Sequence, residues 1–278
     1  MRLLVCSLED TASINIRDRL LEIGGWKETK TFRSHPVFER GSDVMVTIDQ
    51  VHLYADNLDV EATQALAQPF DPVVFLSRHR AASGIPTLTV HPIGNFAKAE
   101  YGGRPETLVP SAPDLMTSCL RELQKRSSGL PFQVGFEVTH HGPLLSVPTM
   151  FIEIGSGEQN WGDREAARAI ASTLLEVKLI EAPKAIGIGG GHYAPRFSEV
   201  VATKRISFGH MIPNYFCDHA SDERLLQVLE EARAKSGGAD LVYIHKKSMA
   251  RSRANHLKGL AEVAGARVVD SGDLADLD

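Results

Sequence analysis

Apolar residues along the 278-residue chain alternate between two patterns. Short uninterrupted runs, RLLVCS at 2–7, DVMVTID at 43–49 and PVVFLSRH at 72–79, have the character of strands covered on both faces, as parallel strands are. Between and after them the apolar positions recur at helical spacing. INIRDRLLEIG has Asp10 or Ser13 placed to cap its start and Gly24-Gly25 to end it. DLMTSCLRELQKRS, REAARAIASTLLEVK after Asp163, DERLLQVLEEARAK after Ser221, and SMARSRANHLKGLAEVAG repeat the pattern. FQVGFEVTHH, TMFIEIG, KAIGIGG, ADLVYIH and ARVVD read as interleaved strands, and ISFGHMIPNYF as loop or short strand. Such alternation predicts an α/β fold with a mixed, largely parallel sheet.

Residues 84–113 interrupt the rhythm with five prolines and four glycines, and no helical period survives there. They predict a long exposed arm or a domain boundary. The chain accordingly divides into an N-terminal α/β unit, 1–110, and a second α/β unit, 111–278, that carries the chemistry.

Composition narrows the class. Hydrophobic content of 43% with 23% charged residues is that of a globular protein. Cys6, Cys119 and Cys217 lie far apart without CxxC spacing, which argues against a disulfide framework or thiolate zinc site and for a reducing compartment. The N-terminal apolar run is too short for a signal peptide and no stretch reaches membrane-spanning length, so a cytoplasmic protein with no membrane partner is expected. A net charge of −5 excludes a general polyanion binder. Locally the balance reverses: HKKSMARSRANHLK, 245–258, holds five Lys or Arg and no acid, whereas the last nine residues hold four Asp.

Candidate chemistry gathers where strand runs end. SRH at His79, THHGP at His140 and His141, GGGHYAP at His192 and FGHMIPNY at His210 each finish an apolar run in histidine, with glycine beside the last three. Any one of these alone is most simply a hydrogen-bonded structural histidine. Together they matter because strand ends of one open sheet converge on the edge where ligands bind. Imidazole and carboxylate are the usual ligands of catalytic zinc, so His79, His141, Glu153, His192 and His210 are the candidate metal ligands; none has HExxH spacing. Strand alternation predicts that His140 and His141 point opposite ways. Glu153, mid-strand between Ile152 and Ile154, must find a partner or face solvent. Glu158 reads equally well as a helix-capping carboxylate, and Trp161 as a packing residue.

Gly187, Gly189, Gly190 and Gly191 follow a strand as in a dinucleotide fingerprint. Tyr193-Ala194-Pro195 replaces the helix start that would hold a pyrophosphate, so the run is read as a close-approach turn presenting His192 to substrate. Lys246, Lys247, Arg251 and Arg253 form either a solvated basic face or a surface for a phosphodiester chain.

Taken in order, THHGP, FIEIGSGEQNW, GIGGGHYAPRFSE and GHMIPNY, with SRH near 79 and IHKK near 245, resemble the archaeal and plant family of D-aminoacyl-tRNA deacylases over essentially the whole chain. The resemblance implies a zinc-dependent enzyme that hydrolyses the ester between a D-amino acid and the terminal ribose of tRNA. It also implies a two-domain α/β fold whose larger domain is similar to the phosphorylase and peptidyl-tRNA hydrolase type. On the residue reading, His140, His141 and His192 bind metal or activate water, while Lys246 and Lys247 hold acceptor-end phosphates or stabilise the oxyanion. Gly189, Gly190, Gly191, Arg251 and Arg253 contact substrate. The protein is expected to act on the tRNA 3′ end as a monomer. A metal-free site with a histidine base, a phosphorylase-like or peptidase-like hydrolase of a small substrate, and a non-catalytic module binding the tRNA end remain as alternatives.

Overall fold

A computed structural model describes residues 1–277. In chain order the elements of the first half are β1 (Arg2–Ser7), α1 (Thr11–Ile23), β2 (Lys27–Phe32), β3 (His35–Arg40), β4 (Asp43–Ile48), α2 (Leu58–Leu66), β5 (Val73–Arg78), β6 (Thr87–His91), β7 (Gly94–Asn95), β8 (Thr107–Leu108) and α3 (Pro113–Arg126). There follow β9 (Gln133–Phe136), β10 (Thr149–Gly155), α4 (Glu158–Trp161), α5 (Arg164–Glu176), β11 (Lys184–Ile188), α6 (Pro195–Thr203), β12 (Ser207–Ile212), α7 (Asn214–Cys217), α8 (Asp222–Lys235), β13 (Leu241–Ile244), α9 (Arg251–Val263) and β14 (Arg267–Val269). The α/β architecture expected from the alternation is present. An eight-stranded mixed sheet runs β2-β3-β4-β1-β5-β10-β6-β9, and a parallel sheet of four runs β12-β11-β13-β14.

Local sequence accounts for several boundaries. The side chains of Asp10, Asp163 and Ser221 accept from the amides of Ser13, Ala166 and Arg224 at the starts of α1, α5 and α8, satisfying donors the first turn leaves free. The consecutive apolar runs are strands buried along their length, β1, β4, β5 and β10 above all.

Residues 84–113 behave differently from the exposed arm expected of them. Thr87–His91 is the fully buried strand β6, antiparallel to β10 within the large sheet. Pro86 and Pro92 stand just outside it, where they remove no ladder hydrogen bond. Strands from both sides of residue 110 share this sheet, because β9 and β10 join it; a division of the chain after 110 does not coincide with a division of the sheets. The segment around His210, expected as loop or short strand, is the buried six-residue strand β12, which ends at Ile212, just before Pro213.

Register explains why chemistry collects on one face. Opposite residues of paired strands share a face, as do residues two apart. Leu88, Val90, Ile152, Ile154, Val74 and Leu76 therefore turn together into the apolar core. Thr89 and His91, Glu153 and Phe151, and Ser77 and Phe75 turn the other way. That face is apolar toward the starts of β5 and β10, where Val73, Phe75 and Phe151 sit, and polar toward their ends.

The sheets meet along residues 136–140. Phe136 and Val138 bond to the backbone around His192, with Ala194 N to Phe136 O at 2.9 Å and Val138 N to His192 O at 3.0 Å. Thr139 N then donates to Met211 O at 3.0 Å on β12. Helix α3 crosses the same joint, and its buried Arg121 donates to the carbonyls of Val201, Lys204 and Ile206. The THH segment is thus pinned between the two sheets.

Candidate metal and active site

Two carboxylates and five imidazoles converge at that joint. Glu137, fully buried, has His192 Nε2 at 2.8 Å, His79 Nδ1 at 3.3 Å and His140 Nε2 at 3.5 Å from its Oε2. Glu153 Oε2 lies 3.6 Å from His79 Nδ1 and 3.5 Å from His91 Nε2. The ring of His141 stands 4.3 Å from that of His140 and 5.0 Å from that of His91.

Each donor is set by its own segment. His79 follows the end of β5, and its carbonyl accepts the Trp161 indole N–H at 3.0 Å; Trp161 packs as expected and also fixes the backbone of a site residue. Glu153 comes from mid-β10 and His91 from the end of β6. His140 and His141 do not point apart as strand alternation predicts. His141 leaves the extended conformation with φ +47°, turning its ring back beside that of His140. The turn is held by close contact: a Cβ on Gly142 would lie 2.3 Å from Gly103 N and 2.5 Å from Gly102 C, so only glycine lets the 102–103 loop approach.

Backbone carbonyls orient three of the rings. Nδ1 of His91, His140 and His141 faces the carbonyls of Pro92, Val138 and Gly142 at 3.1, 2.8 and 2.6 Å. A proton held there leaves the Nε2 lone pair as a ligand, the arrangement usual for metal-binding histidine. Burial, and then the positive charge of His91, hold His140 and His141 well below the usual imidazole range, so both are neutral at pH 7. Burial alone would lower His91 and raise Glu137. Instead the Glu153 charge raises His91, while the contact with His192 and the positive charge of His91 carry Glu137 below the usual carboxylate range.

Apart from the 2.8 Å contact between His192 Nε2 and Glu137 Oε2, polar atoms in this cluster remain without hydrogen-bond partners: Oε1 of Glu137, Oε2 of Glu153, and Nε2 of His79 and His91. Buried polar groups are normally paired, and a buried anion lacking donors is costly. A cation removes the conflict. Three sets of donors are compact enough to hold one, with ligand atoms mutually within 4.8 Å: His91, His140 and His141; His79, Glu137 and His192; and His91, Glu137 and Glu153. The donor chemistry and the orphaned atoms both fit a metal ion.

Of the residues singled out from sequence, His79, His140, His141, Glu153 and His192 come together here. His210 does not. It is fully buried, its Nδ1 paired with Thr139 Oγ1 and its Nε2 with Val109 O, both at 3.0 Å, and burial lowers its pKa to about 3. With both nitrogens occupied it fastens β12 to the joint instead of binding an ion. Glu158 is exposed in the first turn of α4.

Lys246 and Lys247 line a separate cavity of about 460 Å³ with Arg196 and His245, and Lys246 pairs with Asp270 at 2.7 Å. The amides of Gly189 and Gly190 are used inside the protein, by Ile212 O at 2.8 Å and by Asn214 Oδ1 and Ser248 Oγ at 3.2 and 3.0 Å; Gly191 is exposed. Arg251 is exposed, and Arg253 donates to the Cys217 carbonyl.

Sequence reasoning missed His91 and Glu137. TLTVH ends in histidine before proline, the same design as SRH, but was hidden in the proline-rich segment. Glu137 lies between Phe136 and Val138 in an apolar run, three residues before His140, the same anomaly that marks Glu153.

The family model for D-aminoacyl-tRNA deacylase matches residues 66–269. Curated proteins named D-aminoacyl-tRNA deacylase are similar along nearly the whole chain. One from Methanosarcina barkeri is 35% identical over 98% of this chain and 90% of its own length. One from Archaeoglobus fulgidus is 35% identical over 98% and 96%. A longer relative from Methanococcoides burtonii is 34% identical over 99% of this chain, which spans 57% of it. A crystal structure of a conserved protein of unknown function superposes with a TM-score of 0.87 at 34% identity, covering 99% of this chain and 96% of the other. The matched segment contains all seven residues of the His/Glu cluster, and the chain belongs to the D-aminoacyl-tRNA deacylase family.

Proposed function

We propose that the protein hydrolyses the ester joining a D-amino acid to the terminal ribose of tRNA, with zinc as the ion bound by its His/Glu cluster. The observation that carries the reading is a pair of buried carboxylates with unpaired oxygens, Glu137 Oε1 and Glu153 Oε2, beside imidazoles close enough together to hold an ion, in a chain of this family. Three imidazoles, His91, His140 and His141, match the three protein ligands plus water of catalytic zinc. When bound, such an ion lowers the pKa of its water to about 7 and polarises the ester carbonyl.

The chain's own groups supply the rest. The His192 side chain is 38% exposed, against 21% for His140, and its Nε2 faces Glu137. A proton shared there leaves Nδ1 to take up the proton of the attacking water, with Glu137 stabilising the imidazolium. The same proton then goes to the departing ribose oxygen. His79 bridges Glu137 and Glu153 and holds both carboxylates in position.

The acceptor end of tRNA enters over His192, and the basic run with Lys246, Lys247, Arg251 and Arg253 meets its phosphates away from the reacting bond. One chain contains the complete cluster, which supports action as a monomer, and the cytoplasm, where tRNA is charged, is the compartment that suits the reaction. No helix among the described residues is long and apolar enough to cross a membrane. The test is release of D-tyrosine and of L-tyrosine from charged tRNA, with and without chelator. Release of the D-form alone, abolished by chelation and restored by zinc, is expected. Undiminished release after chelation, with no bound metal, would replace zinc by a histidine base; no release at all would remove the deacylase reading.

A further inference from the structure

We propose that an aromatic cavity beside the histidines seats the terminal nucleoside of the tRNA acceptor end, its base stacking against Tyr215, and that Tyr101 divides this chamber from a polar one for the amino acid. The assignment rests on the deacylase reading and deepens it.

His140, His141 and His192 form a common wall between two cavities of about 550 and 450 Å³, and Tyr101 borders both. A bond cut at that wall sends its two substituents into different chambers. Their linings differ in kind. The larger chamber presents aromatic rings from Tyr101, Tyr215, Phe216 and His219. Its charged residues, Lys98, Glu100, Glu106 and Arg224, balance, and Arg224 is engaged with Glu106 at 3.6 Å and with Phe96 O at 3.0 Å. That leaves flat apolar surface without net charge, which suits a base. The smaller chamber is lined by Asp10, Ser77, Arg78, Arg80 and Glu153 with Leu53. Mixed charge of that kind suits an α-ammonium group and side chains of varied character.

Two further facts favour the nucleoside in the aromatic chamber. Tyr101 and Tyr215 are 62% and 52% exposed, large aromatic faces with little protein cover at the mouth of a reactive site. Tyr101 also stands on a fixed support: its carbonyl accepts the Gly142 amide at 3.0 Å. The following Gly102, at φ +76°, is packed so closely that a Cβ would meet Leu53 O at 1.7 Å. The partition is therefore tied directly to the histidine turn. Aromatic rings on rigid backbone are how single-stranded nucleic-acid ends are held without reading their sequence.

The experiment compares wild type, Tyr215→Ala and Tyr215→Phe. Hydrolysis is followed on tRNA charged with D-tyrosine, D-alanine and D-aspartate, and binding of adenosine 5′-monophosphate is measured separately by calorimetry. Loss of one stacked base corresponds to a fall of about fivefold or more in kcat/KM. We expect that fall in Tyr215→Ala, by the same factor for all three amino acids and chiefly through KM, with weaker nucleotide binding; Tyr215→Phe keeps both. A factor that varies with the amino acid would show that the chamber holds the amino acid and overturn the assignment, as would nucleotide binding indifferent to Tyr215→Ala. If wild type cleaves no D-aminoacyl-tRNA while nucleotide binding still depends on Tyr215, the deacylase reading fails and the nucleoside chamber stands.

Discussion

Gly142→Ala should inactivate the enzyme without unfolding it, and the size of the effect follows from contacts at the histidine turn. The new Cβ would sit 2.3 Å from Gly103 N, 2.5 Å from Gly102 C and 2.7 Å from Leu53 O. All three are backbone atoms, so no side chain can swing aside. Reaching ordinary contact at 3.4 Å requires the THHGP turn and the 102–103 loop to separate by about 1 Å. His140 and His141 move with the turn, and a misplacement of about 1 Å near a reaction centre can cost on the order of a hundredfold in rate. Overpacking of this kind destabilises by about 1–3 kcal/mol. Initial rates of D-aminoacyl-tRNA hydrolysis and urea denaturation read the two effects. Gly259→Ala is the control: it lies in α9 with nothing within 4 Å of its added Cβ, so it should leave activity unchanged and add up to about 1 kcal/mol of stability through helix propensity. Gly142→Ala with a rate within twofold of wild type would refute the claim that this packing positions the histidines.

Metal removal should lower the melting temperature, because Glu137 Oε1 and Glu153 Oε2 are then left buried and unpaired; adding zinc at about a hundred times its Kd should return roughly 2.7 kcal/mol, and a melting curve indifferent to chelator and zinc would count against the site. Stability should also fall on acidification. His52 and His210 are lowered to about 3 by burial, so the unfolded chain takes up protons first. Their contribution is complete above about pH 6.5 and declines at about 1.4 kcal/mol per pH unit for each as pH falls toward 3; equal urea midpoints at pH 7 and pH 5 would contradict this. Lys246→Ala together with Lys247→Ala should raise KM and flatten its salt dependence while leaving kcat in place, since the two lysines line a cavity apart from the histidines. The exposed Lys246–Asp270 pair contributes about 0–1 kcal/mol, so thermal stability should barely change; a large fall in kcat would place these lysines at the reacting bond instead.

Sequence alone marked many of the strands and the long helices, because their signals are local, but not the β2–β3 hairpin, α2, or α6, which starts at Pro195 where the Tyr193-Ala194-Pro195 run was read as replacing a helix start. Consecutive apolar runs became buried strands, and Asp10, Asp163 and Ser221 cap the helices they precede. It also marked His79, His140, His141, Glu153 and His192, since titratable residues at the ends or in the middle of apolar runs need partners. What it could not determine were properties of pairing between distant segments. β6 was masked by its flanking prolines, and only its register against β10 puts His91 on the face of Glu153. Glu137 became the centre of the cluster because residues 136–140 bond to the His192 loop and to β12. His210 has the same strand-end signature as the others, yet its partners are Thr139 and Val109. Spacing records which residues can reach a strand end; which side of the joint each one faces is settled by register, by one left-handed residue at His141, and by glycines that let three loops touch.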